Sequence, residues 1–284
     1  MRPPRQKIQQ QKALPTLAPA VERILAACED REISQAKLAE VLAEAPTIAA
    51  RLLGLANSAF FGQAGRVHSL QHAITVLGMV TVRSVAAGLA LAGNFETQRC
   101  PAFSAERYWL SAVLTASCAQ AIAPQVAAGV RPPADSVYLA GLLHNIGLLA
   151  LVHLYPQEMQ QALTAYAAKP QRNLGEHIRD ALSLDHYQAG VWLGTKWHFP
   201  RELLLVMEHH YDLTYRGDHW PLVLVTGLAA RWANQIIDGE ASLFEAPEAL
   251  SLLGLSPTVI AEIGQRLRAR LDEARSLAAA FSSP

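Results

Sequence analysis

VYLAGLLHNIGLLALV, residues 137–152, decides the fold. Apart from Tyr138, Gly141, His144, Asn145 and Gly147, every residue in it is aliphatic. It falls short of the roughly 20 apolar residues a membrane-spanning helix needs, and His144–Asn145 interrupts it. It reads as a core helix over about 135–154, with a polar pair in its middle. On one helix two adjacent residues diverge by about 100°. One of the pair faces a pocket while the other touches a neighbouring helix, both flank one ion, or both are core residues bonded to nearby backbone.

Outward from this stretch the same period continues. Thr16 is placed to cap a first helix with Leu17, Val21, Ile24, Leu25 and Cys28 inward, and Ser34 a second with Leu38, Val41 and Leu42 inward. Pro46 suits the first turn of a third. Asn, Ser and Gly make 57–66 a loop. Ser69 caps a helix ended by Gly78, and another closes at Gly93. Residues 94–106 form a boundary. Helices follow at about 106–123, 135–154, 156–169, 173–180, 185–196, 200–211, 219–238 and 256–280, punctuated by prolines. No segment shows sustained two-residue alternation, so the expected class is all-α. Residues 1–13 read as a disordered lead.

Hydrophobic residues make up 51% of the 284, enough for a sizeable core. Lys+Arg and Asp+Glu balance at 24 each, so no global pull toward nucleic acid or anionic membrane is expected. Cys28, Cys100 and Cys118 are odd in number and far apart, which reads as reduced thiols in a cytoplasmic protein. The polar, basic start has no apolar signal segment, and a soluble protein is expected.

The chemistry-bearing candidates are histidines. His144, His153, His177, His186, His198, His209, His210 and His219 all fall in the second half, and imidazole is the commonest protein ligand for transition metals.

At these residues the chain resembles the HDOD output domain of bacterial signalling proteins. LPTLAPAVERILAACED (14–30), RLLGLANSAFFG (51–62), SLQHAITVLG (69–78), YWLSAVLTASCAQAIA (108–123), VYLAGLLHNIGLLAL (137–151), LDHYQAGVWLGTKWHFP (184–200) and EHH (208–210) carry the likeness over about 14–235. The resemblance implies one HDOD unit over 14–284: an N-terminal helical subdomain, 14–98, packed on a degenerate HD-like helical bundle, 99–284, with a C-terminal helix. HD-type phosphohydrolases hold metal through an early His, a His-Asp pair and a late Asp. Carried over residue by residue, Ser111 stands at the early His and Asn145 at the Asp, while Ala230 stands at the late Asp. Only His144 is kept. A neutral amide replaces an anionic ligand, and the field that would acidify a bound water goes with it. The resemblance thus implies a vestigial pocket of Ser111, His144, Asn145, His186, His209, His210 and Ala230, with no metal, cofactor or catalytic residue. His209 and His210 are adjacent, so at most one points deep inward.

Three other features are weighed. Residues 34–56 have helix-turn-helix lengths, but Lys37 and Arg51 are offset by Glu40 and Glu44, and two packed core helices fit better than a DNA reader. Phe60, Phe61 and Asn57 in the loop are candidates for an interface. The stripe Val259, Ile260, Ile263, Leu267 and Leu271 would cap the core or form a dimer seam.

The expected function is a non-enzymatic bacterial signalling or regulatory module. Its partners would be other signalling proteins, with room for a small ligand in the old cleft and for a homodimer, and with no nucleic-acid or membrane role. No receiver, kinase or cyclic-dinucleotide signature is seen, so any sensor is expected on a separate protein. A divergent phosphohydrolase using His144, His186 and His209 or His210 is the enzyme alternative, and a helix-turn-helix regulator the third.

Overall fold

The structure, a computed structural model, describes residues 17–30, 32–57 and 67–282. The lead, Thr16, Phe60 and Phe61 lie outside them. Among the described residues every regular element is a helix.

Among the described residues the first half has five helices: α1 (Pro19–Glu29), α2 (Gln35–Ala43), α3 (Pro46–Ala56), α4 (Leu70–Leu77) and α5 (Met79–Ala92). Their ends are local chemistry. Ser34 accepts the Lys37 N–H and Ser69 the His72 N–H, meeting donors a helix start leaves unpaired. Pro19 and Pro46 stand in first turns. Gly78, at φ +81°, joins α4 to α5 through a backbone conformation a side chain would strain.

The second half contains α6 (Ala105–Ile122), α7 (Ala134–Leu143), α8 (Ile146–Leu154), α9 (Pro156–Ala168), α10 (Leu174–Leu182), α11 (His186–Lys196), α12 (Arg201–His209), α13 (Trp220–Ile237), α14 (Pro247–Leu253), α15 (Pro257–Ala269) and α16 (Leu271–Ser282). Helix α6 is the hub, packed against α7, α13 and α16. Trp109 of α6 stacks on Phe281 of α16 with centroids 4.6 Å apart. Trp232 of α13 is fully buried and donates Nε1–H to the Phe244 carbonyl. One apolar cluster runs through both halves, from Leu38 and Leu52 to Leu142 and Val223.

Three sequence expectations need correction. Helix 135–154 is broken in two at His144–Asn145. The His144 ring contacts the Gly141 carbonyl at 2.7 Å, the acceptor that an unbroken helix would offer to the Asn145 N–H. Asn145, at φ −117° and ψ 21°, then begins α8. The helix expected over 256–280 is also two, turning at Arg270 (φ −106°, ψ 11°); no proline or glycine marks that turn. Helix α14 was not anticipated.

Ala134–Leu154, taken through the break, is apolar and long enough to cross a membrane, but 78% of its most apolar window is buried inside the protein.

Candidate functional site

The break at His144–Asn145 points two polar side chains toward a cavity of about 830 Å³, within the range of small-molecule sites. Its walls come from α6, the α7–α8 junction, the α9–α10 connection, the start of α11, the end of α12, α13 and the segment after it. Ser111, His144, Asn145, His186, His210 and Ala230 all line it. His209 does not: its ring stacks on Tyr215 with centroids 4.3 Å apart, while the neighbouring His210 turns inward and is 7% exposed.

Close backbone approach sets this arrangement. A Cβ on Gly147 would overlap the His186 carbonyl oxygen and the Gly190 nitrogen, so α8 and α11 meet backbone to backbone beside Asn145 and His186. A Cβ on Gly227 would overlap the His210 carbonyl oxygen, locking the end of α12 onto α13.

Three buried imidazoles cluster at the floor. His144 and His210 meet edge to face, and Tyr187 stands edge-on to His210 at 5.3 Å. Two of the rings sit against a main-chain carbonyl through Nδ1, His144 at Gly141 (2.7 Å) and His210 at Val206 (2.9 Å). A carbonyl only accepts, so Nδ1–H is the donor and Nε2 holds the lone pair in the neutral ring. Burial pulls His144 down to about 4; the Gly141 contact opposes it. Burial likewise pulls His186 to about 4, with Asp185 opposing and His144 and Arg179 adding to the fall. Burial, then repulsion from His144, holds His210 well below its ordinary value. All three are uncharged near neutral pH.

No carboxylate joins them as a free ligand. Asp185 caps α11 by accepting the Gln188 N–H at 2.9 Å and pairs with Arg179 at 2.5 Å. Ser111 donates to Asn234 Oδ1 at 3.0 Å. Ala230 presents a methyl. Among the described residues no group of three or more His, Cys, Asp or Glu is arranged to hold a metal ion. The donor set does not suit the ligand pattern that the HD likeness implies: Asn145 and Ala230 supply no carboxylate at the matched positions, and the acids lining the cavity, Asp238 and Glu240, are engaged by Arg107 and Gln235. Two polar atoms are left over, since His186 Nδ1 and Asn145 Oδ1 are buried without a partner.

Sequence reasoning missed Arg231, beside Ala230. It is half-buried, and burial lowers its pKa. Its guanidinium donates to the Gly227 and Tyr211 carbonyls and lies 5.5 Å from the Phe244 ring centroid. The signal was an arginine inside the apolar run VTGLAARWA (225–233).

Of the other candidates, Asn57 ties the last turn of α3 to Val67. Its Nδ2 donates to the Leu53 and Val67 carbonyls (3.0 and 2.7 Å), and its Oδ1 accepts the Val67 N–H at 2.9 Å.

The sequence profile described as HDOD domain matches residues 14–213. A Marinobacter aquaeolei VT8 protein, named for an inferred role in signal transduction, superposes with a TM-score of 0.84 and 27% identity, covering 95% of this chain and 60% of that one. A Shewanella amazonensis SB2B protein, named by inference as a phosphohydrolase, shares the fold: TM-score 0.77, 19% identity, 98% and 97% of the two chains. An uncharacterized protein of Treponema pallidum (strain Nichols) is 25% identical over 243 residues, 84% of this chain and 45% of that one. The chain thus spans less than half the length of that curated relative.

Proposed function

The chain belongs to the HDOD domain family, and on that premise we propose that it is a non-catalytic signalling module of the bacterial cytoplasm, acting by binding other proteins, with the old HD cleft kept as a small-molecule site. The single observation that supports the non-catalytic reading is the donor set of the cleft. Where a hydrolase of this ancestry needs an imidazole and two carboxylates beside His144, the cavity offers a hydroxyl bonded to Asn234, an amide and a methyl. Neutral oxygens and a methyl neither hold a divalent ion firmly nor lower the pKa of its water. Of the hydrolase alternative's histidines, His144, His186 and His210 line the cavity and His209 does not, but no carboxylate stands at the matched ligand positions beside them.

Cytoplasmic placement is in keeping with the cysteines: Cys28, Cys100 and Cys118 are buried thiols in no disulfide. A protein partner rather than DNA is favoured by the charges of α2 and α3. Lys37 pairs with Glu40, and Glu44 with Arg23, so this face offers phosphates little net attraction.

The test is turnover. The purified chain is assayed against p-nitrophenyl phosphate and nucleoside mono-, di- and cyclic phosphates, with Mn²⁺, Mg²⁺ or Zn²⁺ added. No metal-dependent rate above background is expected. Turnover abolished by His144→Ala would overturn the reading.

A further inference from the structure

We propose that the cavity binds a planar aromatic phosphate of nucleotide size, with its anionic group held by Arg231 and its ring against the aromatic side chains at the mouth. This rests on the reading of the cavity as a place for binding rather than reaction.

Arg231 is half-buried and hydrogen-bonds the Gly227 and Tyr211 carbonyls, while Asp212 attracts it electrostatically without a hydrogen bond to it. The acids that line the cavity are already engaged: Asp238 accepts from Arg107 at 2.7 Å and Glu240 from Gln235 Nε2 at 2.6 Å. A half-desolvated cation whose hydrogen bonds go only to neutral carbonyls gains from a bound anion. The guanidinium follows Ala230, the position that the HD resemblance matches to the late Asp.

Tyr211 and Phe244 are two of the three large hydrophobic side chains exposed above 40% among the described residues, and both line this cavity, on either side of Arg231. Tyr211 is already stacked face to face on Tyr187 at 4.3 Å, so a flat aromatic surface is built and held. Arg231 over Phe244 extends it. A planar ring placed against these faces gains stacking and cation–π contact. A bare anion would use the guanidinium but leave the aromatic faces wet, and a single-ring carboxylate would fill little of about 830 Å³.

At the floor, the rings of His144 and His210 bond main-chain carbonyls through Nδ1–H and keep their Nε2 lone pairs. Such a floor suits hydroxyl or amine donors, as sugars and bases carry, better than a second charge.

The experiment is calorimetric titration of the full chain with AMP and GMP, with adenosine and guanosine, and with inorganic phosphate. At least one nucleotide is expected to bind at least tenfold more tightly than its nucleoside and than inorganic phosphate. Arg231→Gln is expected to lose that advantage and Arg231→Lys to keep part of it. Should the arginine variants fail to fold, the comparison of nucleotide with nucleoside on the unaltered protein still decides. No binding of either nucleotide at millimolar concentration, or equal binding of nucleoside and nucleotide, would overturn the proposal and leave the non-catalytic reading standing. Nucleotide bound but converted would uphold this inference and overturn that reading.

Discussion

The imidazoles of His144 and His210 meet edge to face, ring centroids 4.8 Å apart and planes at 84°. The two residues come from different helix ends, and each ring is fixed by a carbonyl of its own chain. The contact is compatible with two neutral rings. Protonating either would place a charge in a buried site with no free carboxylate to meet it.

A pH dependence follows. His144 and His186 titrate at about 4 in the folded protein, below the ordinary 6.5. Between those values the unfolded chain binds more protons than the folded one, so stability is complete above about pH 6.5 and falls as pH drops toward 4. At full expression each histidine contributes on the order of 3 kcal/mol. Urea unfolding at a series of pH values should show this loss, and His144→Gln should remove that residue's share while His186 keeps its own. A profile level across the window would contradict the burial of neutral imidazoles.

Gly147→Ala should be among the most damaging single-methyl changes in the chain. The new Cβ meets main chain, the His186 carbonyl and the Gly190 nitrogen, which cannot swing aside. A loss of about 3 kcal/mol or more is expected. Gly54→Ala is the control: nothing lies within 4 Å of its Cβ, and helix propensity makes the change neutral or stabilising by up to about 1 kcal/mol. Thermal melts of both variants check the contrast.

Asn57→Ala removes three hydrogen bonds that tie Leu53 to Val67. A loss of about 1–3 kcal/mol is expected. Asn57→Asp keeps the acceptor for the Val67 N–H but opposes a carboxylate to two carbonyls, so it should be no better than alanine. Chemical denaturation separates the cases.

The helical class, the Ser34 and Ser69 caps and the Gly78 junction were legible because each is local: a period, a hydroxyl or a glycine names its own geometry. The break at 144–145 was hidden because its cause is a side chain taking a main-chain acceptor, which an apolar pattern does not show. The turn at Arg270 has no breaker residue at all. At the site, the His144, Asn145, His186 and His210 set could be drawn from motif likeness. Which of His209 and His210 points inward depends on where α12 ends against α13, a tertiary fact set at Gly227. Arg231 was passed over because a lone arginine in an apolar helix reads as a surface residue until its neighbours are known.

Restoring ligands should restore metal. The triple variant Ser111→His, Asn145→Asp, Ala230→Asp returns one imidazole and two carboxylates to positions that line the same cavity as His144. It should bind Mn²⁺ at least tenfold more tightly than the parent by calorimetry, with the gain removed by a further His144→Ala. Equal affinity of parent and variant would show that the ligand positions are wrongly matched.

The central claim is that this cleft holds no catalytic divalent ion. Elemental analysis of the purified chain, before and after incubation with Mn²⁺, Zn²⁺ and Fe²⁺ and removal of excess, measures it directly. Less than about a tenth of an equivalent of metal per chain is the predicted result; one or more equivalents, lost on His144→Ala, would contradict it.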